Sequence, residues 1–141
     1  MDARKLRLNK ITRPAMPVIG VCATGDPRID SEARKRCQNI IKMTADFIAK
    51  NALLPDGTMV PVVYSDLLID GEKQADVVAD IFKKQGVNII VCVPDTWAFP
   101  QLTMISLISQ FPKNTPVNVT CGNSSTRPGV VYTHALSGAI S

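Results

Sequence analysis

Apolar residues along the chain collect into four short runs, and the stretches between them repeat with helical period. The runs are residues 17–23 (PVIGVCA), 59–64 (MVPVVY), 87–93 (VNIIVCV) and 116–121 (PVNVTC). They are nearly continuous and rich in β-branched side chains, with no strict alternation of apolar and polar. That pattern predicts strands covered on both faces, as in a parallel sheet. Pro61 and Pro116 interrupt the second and fourth runs and assign them to sheet edges, where a missing N–H is tolerated.

Helices are predicted in the intervals. Asp30 is placed as the cap of a helix running to about Asn51, with Ala33, Cys37, Ile40, Ile41, Thr44 and Ile48 as its inward stripe. Asp70 is placed as the cap of a second, with Ala75, Val78, Ile81 and Phe82 inward and Gly86 as its stop. A third begins near Pro100 and carries Leu102, Ile105 and Ile108. Residues 51–58, containing Pro55-Asp56-Gly57, form a turn-rich link to the second strand. A fourth helix opens at Pro128 and reaches Ser141 with no stop signal, so the chain is expected to be one domain of a longer protein.

The alternation βαβαβαβα predicts an α/β fold: a three-layer, doubly wound parallel sheet of flavodoxin-like type, with strand order 2-1-3-4. In such sheets ligands bind beyond the carboxyl ends of the strands, where the order reverses, here between strands 1 and 3. Two loops are therefore expected to meet there. The first is Thr24-Gly25-Asp26-Pro27-Arg28; the second is Pro94-Asp95-Thr96-Trp97-Ala98-Phe99.

Arg28 brings a permanently charged fork of donors, and Trp97 a flat apolar wall with one donor, parts suited to the face of a sugar or another ring. On the residues alone two readings stay open. Arg28 and Trp97 either line a ligand site, or Arg28 pairs with Asp26 or Asp95 while Trp97 folds back on the sheet edge. The loop after the fourth run, with Asn123 and Arg127, either offers backbone donors to a ligand or supplies turn and cap hydrogen bonds, and Arg127 is placed to tie it to a neighbouring domain.

Charge changes the picture little. The net +4 resides in residues 1–14, read as a basic N-terminal arm ahead of a domain over 15–141: Arg4, Lys5, Arg7, Lys10 and Arg13 stand against Asp2. From Pro14 onward eleven basic and eleven acidic residues cancel, which argues against nucleic acid as a partner. No apolar run approaches the roughly 20 residues of a membrane span, and no signal peptide opens the chain; a cytoplasmic protein is expected.

Cys22, Cys37, Cys92 and Cys121 are scattered and accompany a single histidine, His134, so zinc-type ligand spacing is missing. The cysteines are expected to be reduced core residues, and His134 to be structural. Asp26, Asp66 and Asp95 at three strand ends admit a Mg²⁺ site of the receiver-domain kind, a reading weakened by the absence of that fold's other signals. Dinucleotide, phosphate-loop and nucleophile-elbow motifs are also absent.

Three segments resemble the N-terminal domain of the L-fucose isomerase family, which includes D-arabinose isomerases. Ile19-Gly20-Val21 followed by Asp26-Pro27-Arg28 is similar to the family's I-G-I-R-P-x-x-D-G-R. Val93-Pro94-Asp95-Thr96-Trp97 is similar to T-P-C-W. Asn123-Ser124-Ser125-Thr126-Arg127-Pro128-Gly129-Val130-Val131-Tyr132 is similar to N-G-T-E-R-P-G-A-V-Y, the most specific of the three. Cys22-Ala23 in place of Arg-Pro, Pro27 in place of glycine and one extra residue before Trp97 mark a divergent branch.

The resemblance implies a three-domain, commonly hexameric aldose–ketose isomerase. In that family Mn²⁺ is held by two carboxylates and a histidine of later domains, and a proton moves between neighbouring carbons through an ene-diol. The N-terminal domain supplies no metal ligand and no catalytic group. It covers the active site of an adjacent subunit with an arginine and a tryptophan, which correspond to Arg28 and Trp97, and Asp26, Asp95, Asn123 and Arg127 are candidate supporting residues. The alternative is a stand-alone flavodoxin-like ligand-binding or signalling module without catalysis.

Overall fold

Four parallel strands in the order β2–β1–β3–β4 form the centre of the computed structural model, which describes residues 16–120. They are β1 (Ile19–Cys22), β2 (Val62–Tyr64), β3 (Ile89–Cys92) and β4 (Val117–Val119), and the intervening helices are α1 (Ser31–Asn51), α2 (Glu72–Lys84) and α3 (Met104–Ile108). The sheet is the expected one, with β2 and β4 at its edges. The strands themselves are shorter than the apolar runs that announce them. The predicted fourth helix lies outside the described residues, as do residues 1–14, Cys121 and His134.

Register sorts the side chains into two cores. Ile19 pairs with Val62 and Ile89, and Gly20 with Val63 and Ile90, so alternate residues of neighbouring strands share a face. On one face α1 seals Val21, Ala23, Leu68 and Val93 beneath Cys37, Ile41 and Ala45. On the other, α2 and α3 pack together over Cys22, Ile90 and Cys92 with Ala75, Val78, Ala79 and Phe82. This three-layer arrangement, α1 against α2 and α3, is what right-handed crossovers require when the strand order reverses beside β1.

Local signals hold in part. Asp30 caps α1 as expected, its carboxylate accepting the Ala33 N–H at 2.7 Å. Asp70 does not cap α2. Gly71 occupies that position with no side-chain cap, and the Asp70 carboxylate instead meets Arg34 of α1 at 2.8 Å. Asp70 stands one residue too early to reach the first free N–H groups, and a guanidinium lies within reach.

The stripe of α2 is Ala75, Val78, Ala79 and Phe82, spaced i, i+3, i+4, i+7, which leaves Ile81 outside it and 37% exposed. In α1 it is Ala45, and not Thr44, that completes the buried row with Cys37 and Ile41. Gly86 stops α2 with φ +72°, the left-handed backbone that only glycine adopts without strain.

The third helix is the least legible. Residues 100–103 turn before α3 begins, Leu102 and Ile105 face outward, and Leu107 is its fully buried residue. Between α1 and β2 the chain makes a small hairpin, Leu53 bridging Met59. Gly57 sits at φ +83°, and Asp56 accepts from both the N–H and the hydroxyl of Thr58. Among the described residues no helix is long and apolar enough to cross a membrane.

Gly20 is required by close packing. A Cβ there meets the Phe82 ring and a methyl of Val87, both at 2.7 Å, and the Phe82 ring is fully buried and has no room to retreat. Gly20→Ala is expected to lower the unfolding free energy by about 1–3 kcal/mol, the usual range for an overfilled core. A urea titration that finds no loss contradicts this packing.

Candidate functional site

β1 and β3 run side by side with four residue pairs in register, ending on Cys22 opposite Cys92. Their following loops consequently leave the sheet at the same level, on either side of the point where the strand order reverses. The loop after β1 is stitched to the loop after β2: Ile69 N–H donates to the Ala23 carbonyl at 2.9 Å, and Gly25 N–H returns a bond to the Ile69 carbonyl at 3.0 Å. It is stitched to the loop after β3 as well, where Asp26 N–H donates to the Thr96 hydroxyl oxygen at 3.4 Å.

At Gly25 the three loops come close together. A Cβ on it lies 2.9 Å from a Leu68 methyl and 3.0 Å from the Thr96 hydroxyl. Any larger residue requires the Leu68 side chain or the Thr96 hydroxyl to shift.

On this platform Asp26 and Arg28 close a two-residue turn. Asp26 Oδ1 accepts from the Arg28 backbone N–H and from Nε, each at 2.8 Å, and Oδ2 accepts from Nη2 at 2.5 Å. The carboxylate side chain is 12% exposed and the guanidinium side chain 71%. The guanidinium lies beside two rings, 6.0 Å from the centre of Trp97 and 5.7 Å from that of Phe99. The rings meet edge to face, their centres 4.2 Å apart and their planes at 75°.

Asp95 turns away from Arg28 and binds Arg36 of α1, its Oδ2 accepting from Nε at 2.5 Å. The structure thus selects one of the two pairings open from the sequence, and it brings Arg28 and Trp97 together as well. Asn123 and Arg127 lie outside the described residues.

Two residues were not singled out beforehand. Phe99 carries a weak signal, a second aromatic two positions after Trp97 on a loop expected to be polar. Arg36 carries none, since its partner is 59 residues away.

The chemistry available follows from this arrangement. A guanidinium has five N–H groups, and two of Arg28 serve Asp26, which leaves three for a ligand. Each arginine at the crevice is matched by a carboxylate, so Asp26–Arg28 and Asp95–Arg36 together add no net charge. That suits a neutral, hydroxyl-rich molecule better than a phosphate.

The Arg28 hydrogen bond holds the Asp26 carboxyl at about 2, below its ordinary 3.8, and the same contact raises Arg28. A general base works best with a pKa near the working pH, which Asp26 does not have. Burial pushes the Cys37 thiol up to about 11. The Cys22 thiol is raised by its hydrogen bond to Cys92 and by burial. Cys22, Cys37 and Cys92 are free and buried, the setting of inert core thiols.

Among the described residues no three His, Cys, Asp or Glu side chains gather into a group that could hold a metal ion. Asp26, Asp66 and Asp95 do not gather into such a group, and Asp26 and Asp95 are each paired with an arginine instead.

A family described as "L-fucose isomerase, first N-terminal domain" matches residues 16–141. The L-fucose isomerase of Vibrio vulnificus (strain YJ016) is similar at 31% identity over 117 residues, an alignment covering 81% of this chain and 19% of that protein. The chain thus spans about a fifth of its curated relative.

The Asp26 carboxyl is expected to titrate with a midpoint near 2 when followed by carboxyl-carbon NMR, and Arg28→Lys is expected to move the midpoint up towards 3.8. Because the folded-state value lies below the unfolded one, the pair's contribution is complete above about pH 4 and fades as pH falls through about 2. An unchanged midpoint in the lysine variant removes the guanidinium as the cause.

Proposed function

The chain belongs to the L-fucose isomerase family as a first N-terminal domain, and from that premise we propose that it serves a metal-dependent aldose–ketose isomerase as the domain that caps the sugar. The observation that carries this reading is the meeting of Arg28 with Trp97 at the crevice between β1 and β3, in a charge-balanced setting. The substrates in this reading are L-fucose or D-arabinose type aldoses, converted to their ketoses through an ene-diol.

In this role the Trp97 ring lies against the C–H face of the sugar, and the three unused N–H groups of Arg28 donate to its hydroxyls. Both groups are large and anchored by neighbours, so they also exclude water from the covered site. Neither moves the proton. Asp26 is already committed to Arg28, which leaves proton transfer to other domains. Mn²⁺ in this reading is bound by those domains too, as the family resemblance implies, and no step is assigned to it on this chain.

An apolar pair on the outer side of α1 favours the subunit-interface part of the proposal. Met43 and Phe47, one helical turn apart, are 70% and 67% exposed. We assign that surface to an adjacent subunit of a homo-oligomer, a hexamer in the family pattern. In this reading the partners are a small-molecule sugar and the protein's own remaining domains.

In the full-length enzyme Trp97→Ala is expected to lower kcat/KM for the sugar about tenfold or more while leaving metal affinity unchanged. Loss of metal with sugar handling intact overturns the capping role. The 141-residue chain alone is expected to show no isomerase activity, and turnover by it refutes the division of labour.

A further inference from the structure

Arg28 and Trp97 share a neighbour that the capping role does not explain. Phe99 is half-buried, yet neither it nor Trp97 belongs to the two packed cores of the sheet. Its ring stands edge to face with Trp97, and it lies closer to the Arg28 guanidinium than Trp97 does, 5.7 Å against 6.0 Å. One ring thus supports both groups.

Its backbone is fixed independently. The Phe99 carbonyl accepts from the N–H of Leu102 at 3.0 Å, the N–H of Thr103 at 3.1 Å and the Thr103 hydroxyl at 2.8 Å, and Thr103 is fully buried at the start of α3. The ring is therefore referenced to the α2–α3 layer, whereas Arg28 hangs from the turn that leads into α1. Asp26 fixes the guanidinium along its Nε edge but leaves Arg28 largely exposed, so a second support decides where the remaining donors point.

We propose that Phe99 is a positioning residue, a brace that sets the angle of the Trp97 ring and holds the free donors of Arg28 beside it. As a part of sugar capping this rests on the reading given above, but the bracing is measurable without any sugar. Edge-to-face packing and a cation over a ring face both need an aromatic side chain, so phenylalanine and tyrosine serve and an aliphatic residue of similar bulk does not.

Trp97 is the chain's one tryptophan, so its fluorescence reports on the brace directly. In the 141-residue chain, Phe99→Leu is expected to keep the far-UV circular dichroism of the parent. Its emission shifts to the red, quenching by acrylamide rises, and the Arg28 Nε–H resonance moves. Phe99→Tyr is expected to restore all three. Unchanged quenching and an unchanged Arg28 resonance in a folded Phe99→Leu chain overturn the proposal.

In the full-length enzyme the leucine variant is expected to raise KM for the sugar about two- to tenfold with little change in kcat, and the tyrosine variant to reverse this. Altered Trp97 fluorescence with an unaltered KM supports the brace and instead removes the sugar reading of Arg28 and Trp97. A KM effect that tyrosine fails to reverse overturns the aromatic bracing.

Discussion

The pairing of β1 with β3 is the constraint from which the site follows. These strands are separated by a crossover through β2 at the edge, yet they lie adjacent and in register over four residues. Because their ends are level, the loop carrying Arg28 and the loop carrying Trp97 emerge side by side, linked by the Asp26 N–H donating to the Thr96 hydroxyl, while Ile69 ties the first of them to the loop after β2. A slip of one residue in this register sends every side chain to the opposite face and separates the loops. Burial on both faces opposes such a slip, so the two cores stabilise the site as well as the fold.

Within the crevice, charge is arranged to be specific rather than strong. Arg28 and Arg36 are both matched by carboxylates, and the donors of Arg28 not taken by Asp26 are left for a ligand. Exposed ion pairs of this kind add little to stability. Their contribution is orientation: one pair aims a guanidinium, and the other ties the loop after β3 to α1 at Asp95. An arginine and a tryptophan held this way present hydrogen-bond donors beside a flat apolar wall at the mouth of the crevice.

Much of the architecture was legible in the order of residues. β-branched runs announced the strands, Pro61 and Pro116 marked the edges, and Asp30 and Gly86 set helix boundaries that the structure reproduces. The strand order located the two loops, and that led to Arg28 and Trp97. What escaped depends on geometry in space. Asp70 had the chemistry of a cap but found Arg34 first, and Ile81 fell off a stripe that Ala79 completes. Arg36 and Asp95 are too far apart in the chain for any local pattern to couple them. Phe99 gains meaning only when the turn before α3 swings its ring against Trp97.

The hairpin at residues 53–59 has a different consequence. It precedes β2 and so belongs to the amino ends of the strands, opposite the crevice, and its tip satisfies its own hydrogen bonds through Asp56, Leu54 and Thr58. Foreign sequence spliced between Asp56 and Gly57 would disturb neither core layer. A fluorophore or an affinity handle could be carried there at a distance from the crevice between β1 and β3.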